Sequence, residues 1–150
     1  MAVFSANAVQ TIAPGEDAIF TTTLVPCTKG LIRHRDDTGS FLLKGAPVCR
    51  CKQTADYIVD FGANIAVAEG GTAEAISVAI TLNGAQIPAS NMIVTPAAVG
   101  EYFNVSREIG ADVWAGCCES LTVRNTSAQP ITMQNAVIDI NRKEERYARR

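Results

Sequence analysis

A chain of 150 residues with 47% apolar side chains can bury the core of one domain, and it is too short for two catalytic domains. Charged residues are 19% and the formal net charge is −2, which excludes a disordered acidic chain and a generally basic nucleic-acid binder. The charge is uneven: Arg142, Lys143, Arg146, Arg149 and Arg150 against Glu144 and Glu145 give residues 141–150 a charge of +3, leaving −5 on residues 1–140.

The opening MAVFSANAVQ lacks the basic and apolar regions of a secretory leader, and no apolar run reaches about 18 residues, so a cytoplasmic site of synthesis is expected. Short segments rich in Val, Ile, Thr, Phe and Ala then alternate with Gly, Pro, Asn and Asp clusters, the pattern of an all-β sandwich or barrel. Residues 18–25 (AIFTTTLV) read as a strand after the Pro14-Gly15 turn, and Asp36-Asp37-Thr38-Gly39 separates a segment around Ile32 from Phe41-Leu42-Leu43. In residues 56–65 Tyr57, Val59, Phe61, Ala63 and Ile65 alternate with Ile58, Asp60, Gly62 and Asn64, which predicts a half-buried central strand.

Residues 73–82 place Ile76, Val78, Ile80 and Leu82 on one face. Asn83-Gly84 then predicts a hairpin, because both central positions of a type I′ turn need positive φ. Residues 102–113 read as a strand interrupted near Gly110, and Leu121 and Val123 face inward from the next one. The last strand, residues 131–142, changes phase: Ile131 and Met133 sit at odd positions and Ala136, Ile138 and Ile140 at even ones, so a β-bulge is expected near Gln134-Asn135. The fold class is therefore all-β, a compact jelly-roll sandwich of nine to ten antiparallel strands over residues 1–142, with residues 143–150 as a basic tail outside it.

Catalytic signatures are scarce. His34 is the single histidine, which excludes a His-based metal cluster, and its neighbours Arg33, Arg35, Asp36 and Asp37 point to an exposed, solvated turn. No phosphate-binding glycine loop lies between a strand and a helix, and Gly70-Gly71 reads as a turn. Cys49, Cys51, Cys117 and Cys118 could offer four thiolates to zinc, but the spacing differs from common zinc sites; free thiols are expected for these and Cys27, with disulfides or a metal as the alternatives. Trp114 and Tyr102-Phe103 read as core or interface packing, with a stacking platform as the alternative. No catalytic residue, metal or cofactor is expected.

Three stretches carry a resemblance to a family: Tyr57-x-Val59-x-Phe61-Gly62-Ala63-Asn64-Ile65, Ala79-Ile80-Thr81-Leu82-Asn83-Gly84 and Leu121-Thr122-Val123-Arg124-Asn125-Thr126-Ser127. Together, over residues 8–142, they resemble the trimeric jelly rolls of the tumour-necrosis-factor and complement-head superfamily, in particular its phage and prophage branch and the tip domains of exosporium collagen-like proteins. The chain departs from the exosporium type in having no Gly-X-Y stalk, which turns the expectation towards a virion surface.

The resemblance implies a homotrimer with Tyr57, Phe61 and Phe103 near the threefold axis. It further implies a virion structural protein, a decoration or head-fibre protein on a phage capsid, assembled in the host cytoplasm. The alternatives are a trimeric adhesin or ligand-binding head and a bacterial surface protein. The expected partners are the major capsid protein and, as an open question, a host-surface glycan, with no nucleic acid and no membrane. Capsid docking is assigned to Arg142, Lys143, Arg146, Tyr147, Arg149 and Arg150, facing the shell beside the first residues of the chain. In such a fold Cys49 or Cys51 is expected to approach Cys117 and Cys118, mostly as reduced thiols.

Overall fold

The computed structural model describes residues 1–27, 29–48, 52–116 and 118–147, with residues 52 and 144–147 given by backbone alone. Twelve strands lie among them: β1 (Ala2–Ala6), β2 (Gln10–Ile12), β3 (Thr22–Val25), β4 (Ile32–His34), β5 (Phe41–Leu43), β6 (Lys52–Val67), β7 (Ile76–Leu82), β8 (Ala85–Gln86), β9 (Met92–Val94), β10 (Phe103–Trp114), β11 (Glu119–Asn125) and β12 (Ile131–Tyr147). They form two six-stranded antiparallel sheets. The first runs β10-β6-β12-β1-β3 with β2 also on β12; the second runs β4-β5-β11-β7-β8 with β9 also on β7. The all-β jelly-roll expectation holds, and the strand count exceeds nine to ten because β2, β8 and β9 are only two or three residues long, too short to leave a period in the sequence.

The alternation in β6 fixes how the sheets meet. Ala55, Tyr57, Val59, Phe61, Ala63, Ile65 and Val67 are all essentially buried and face the second sheet, whose Phe41, Val78, Ile80, Leu121 and Val123 complete one continuous core. β6 is central, paired with β10 on one side and β12 on the other. The Asn83-Gly84 hairpin forms between β7 and β8 with φ of 50° and 83°, as type I′ requires. The bulge forms too: the β12–β6 register shifts between Gln134 and Val137, and Asn135 takes a φ of 52°.

Two expectations need correction. β10 is not interrupted at Gly110, which stays in an unbroken ladder opposite Ile58. Residues 143–147 are not a tail outside the fold: β12 continues to Tyr147, pairing Glu144 with Asp56, Arg146 with Thr54 and Tyr147 with Lys52, with register shifts on the way. The cause is the partner. β6 begins at Lys52, well before its apolar alternation, and offers a ladder that a polar segment of low strand propensity accepts for its backbone hydrogen bonds.

Candidate functional site

The side chains assigned to a threefold axis divide. Tyr57 and Phe61 are 1% and 0% exposed, because the alternating apolar set of β6 is the one turned towards the second sheet, so neither offers surface to a neighbouring copy. This corrects their interface assignment. Tyr57 is instead a tie between the sheets: its hydroxyl lies 2.6 Å from the Lys44 carbonyl and 3.2 Å from that of Leu31, and accepts from Arg142 Nη1 at 3.2 Å. Burial pushes the phenol pKa up, with Arg142 pulling it the other way. Phe103, at one end of β10, is 37% exposed and remains available for contact.

The docking cations also divide. Arg142 is engaged within the domain, donating to the Lys44 carbonyl at 2.9 Å and lying 5.6 Å from the Tyr57 ring centroid, so its charge is not free for a shell. Lys143 is exposed at a register shift. Arg146 and Tyr147 lie on the β12 backbone ladder, and Arg149 and Arg150 fall outside the described residues. The first and last strands pair directly, Ala2 opposite Ile140, so the chain's beginning does lie beside Arg142.

The outer face of the first sheet is largely polar. One row across it reads Glu108, Asp60, Asp139 and Val3 on β10, β6, β12 and β1; another reads Ser106, Gly62, Val137 and Ser5. Three like charges directly opposite one another oppose sheet formation by a few tenths of a kcal/mol or more per pair. Val137 is 39% exposed at the centre of its row. β10 is the edge strand, and its twelve residues end in exposed Phe103 and exposed Trp114. Trp114, at 58% exposed, is not core packing.

The second sheet presents a different surface, organised by β4. His34 is not a solvated turn residue: its side chain is fully buried, stacked on Phe41 at 4.4 Å between centroids, with Phe4 4.9 Å away. Period-two alternation explains the error, since on β4 Arg33 points out and His34 points into the core, while Arg35 is exposed just past the strand end. The Nε2 of His34 donates to the Thr38 carbonyl at 3.0 Å, which leaves Nδ1 without a hydrogen-bond partner, 3.9 Å from Asp36 Oδ1. Beside it, Arg33, Arg35, Thr38, Ser40 and Leu42 line an open depression of about 390 Å³. This site was missed in the sequence, where Arg-x-Arg read as part of a charged turn.

Mostly reduced thiols were expected, with a disulfide as one alternative, and the described cysteines show one of each. Cys118 is disulfide-bonded and Cys27 is free, while Cys49, Cys51 and Cys117 lie outside the described residues. Burial pushes the Cys27 thiol up, but backbone N–H groups of Lys29, Ile32 and Leu31 outweigh it and hold the pKa below the ordinary value. Glu119, at the start of β11, has its pKa raised by burial, opposed by a Trp114 backbone hydrogen bond, and its Oε2 has no hydrogen-bond partner.

No family model and no curated protein matches the chain. Among solved structures, the globular domain of zebrafish complement 1qA protein is similar at a TM-score of 0.58 and 10% identity, over 93% of this chain and 94% of that one. The C-terminal domain of EclA, a sugar-binding protein, gives a TM-score of 0.42 at 15% identity over 91% of this chain and 79% of that one. A family 35 carbohydrate-binding module from an environmental isolate gives 0.37 at 14% identity, over 96% and 98%. The fold of this chain is the two-sheet jelly roll of the complement globular head.

Proposed function

We propose that the chain is a non-catalytic head that assembles as a homotrimer through its first sheet and meets a ligand with its second. The observation that carries the reading is that β10, twelve residues long and flanked by exposed Phe103 and Trp114, is an edge strand whose ladder is with β6 alone. An edge of that length is a pairing hazard unless it is covered, and the neighbouring face with exposed Val137 beside Gly62 gives a second copy room to approach. A non-catalytic role agrees with the burial of His34 in an aromatic cluster, where it cannot serve as a general base for a bound substrate. Sedimentation of the purified chain at micromolar concentration tests assembly; a stable monomer overturns it.

A second reading sets this head on a phage capsid as a decoration or head-fibre protein, with the major capsid protein as partner and the virion surface as its location. Without the engaged Arg142, residues 143–150 still carry +2 against the −5 of residues 1–140, which favours it, since a basic segment suits a shell lattice of opposite sign. Imaging virions with and without this chain tests the reading: unaltered particle density rejects it.

A further inference from the structure

We propose that the depression lined by Arg33, Arg35, Ser40 and Leu42 binds an acidic saccharide, its carboxylate or sulfate held between the two guanidinium groups. The inference rests on the reading of the chain as a ligand-binding head and names the ligand class and the residues.

The two arginines are adjacent cations without an anion. Arg33 lies on the edge strand β4 and Arg35 just past its last residue, both exposed and both lining the depression. Neither has an ion-pair partner among the described residues. The adjacent carboxylates do not pair with them: Asp36 Oδ1 accepts from the Thr23 hydroxyl at 3.2 Å and lies 3.9 Å from His34 Nδ1, and among the described residues Asp37 forms no ion pair with either arginine. Mutual repulsion of two such groups is a standing cost that a bound anion removes, and a guanidinium pair matches the geometry of a carboxylate or sulfate.

The pair is also held in place. Between the arginines, His34 is locked by stacking on Phe41 and by its bond to the Thr38 carbonyl. The Arg35 carbonyl accepts from the Thr38 hydroxyl at 2.6 Å and from the Thr38 amide at 3.2 Å. Phe20 closes the turn from beneath, donating to the Thr38 carbonyl and accepting from the Asp37 amide, each at 3.0 Å. A site fastened at three points loses little freedom when it binds.

The remaining lining selects the ligand class. Leu42, 42% exposed and directly opposite Arg33 in the register, is an apolar floor for the C–H face of a sugar ring. Ser40 adds an exposed hydroxyl with no protein partner among the described residues, suited to a ring hydroxyl. A volume of about 390 Å³ admits one or two rings. A long polyanion is disfavoured, since the −5 of residues 1–140 repels every segment that reaches beyond the two arginines.

The test is titration of the intact chain with sialylated, uronic-acid and sulfated oligosaccharides, each beside its neutral parent. At least one acidic member is expected to bind about tenfold or more tightly than its parent, and Arg33→Gln with Arg35→Gln to remove about tenfold or more of that affinity. Ile93→Ala, exposed on β9 on the other side of the second sheet from β4, is expected to leave it unchanged. Acidic-saccharide binding that survives the double arginine variant overturns the site, as does an equal response to polyglutamate, a DNA oligonucleotide or inorganic sulfate. Binding of neutral glycans alone rejects this inference and keeps the ligand-binding head, whereas binding to no glycan rejects both. Circular dichroism of the double variant confirms that a loss is not unfolding.

Discussion

The two sheets differ in build and in outward chemistry. The first is made of long strands, with 16, 17 and 12 residues in β6, β12 and β10, and its outer face carries Gly62 and Gly110 and is crossed by the carboxylates of Glu108, Asp60 and Asp139. In the second no strand exceeds seven residues, and the segment joining β2 to β3 of the first sheet reaches across to it, where Asp17 accepts from Thr122 and Arg124. A regular surface repeats one contact geometry over a large area and suits a copy of itself. A surface made of short strands and turns varies over a few ångströms and suits a small ligand.

The division is tested most severely at the core both sheets share. Phe61→Ala opens a cavity between them and is expected to cost about 3–5 kcal/mol, with a correspondingly large fall in Tm. A loss below about 1 kcal/mol in denaturant titration would show that Phe61 is not packed between the sheets.

Next in size is the assembly face. Val137→Asp adds a carboxylate beside an already acidic row and is expected to convert the trimer to monomer in sedimentation while leaving the fold intact. A variant that stays trimeric moves the contact elsewhere.

In the second sheet, Gly84→Ala forces a Cβ onto a φ of 83° and is expected to cost about 1 kcal/mol, or about 2–4 °C in Tm. Space is not the issue, since a Cβ there meets nothing within 4 Å; an unchanged Tm would mean that the turn relaxes out of its type I′ form.

The smallest expected effect is pH-dependent. Glu119 has a folded-state pKa above its unfolded one, so the ionised side chain is penalised only in the fold, at pH values above the folded pKa. Glu119→Gln should raise Tm near neutral pH, and the gain should shrink as pH falls through the folded pKa and vanish below the unfolded value of about 4.3. A gain independent of pH means that the carboxylate charge is not its source.

Much of this architecture was legible because local chemistry and tertiary packing agree. The odd-numbered apolar set of β6, the Asn83-Gly84 turn and the phase change between Met133 and Ala136 each have a single good structural solution. The expected site residues fared worse for physical reasons. An alternating strand declares one face apolar but not whether that face meets the other sheet or another copy, which is how Tyr57 and Phe61 were placed at an axis. At His34 four charged neighbours outweighed a period-two signal only three residues long. Residues 143–147 became strand through a partner some ninety positions earlier in the chain, a relation that no local pattern contains.

The position of β12 has a consequence for how the molecule comes into being. β12 is an interior strand, lying between β6 and β1. Without it β6 keeps only β10 and β1 keeps only β3, so the first sheet stays in two pieces with bare inner edges. Closing it waits on pairings between distant parts of the chain, which makes folding slow and exposes those edges to other copies in the interim.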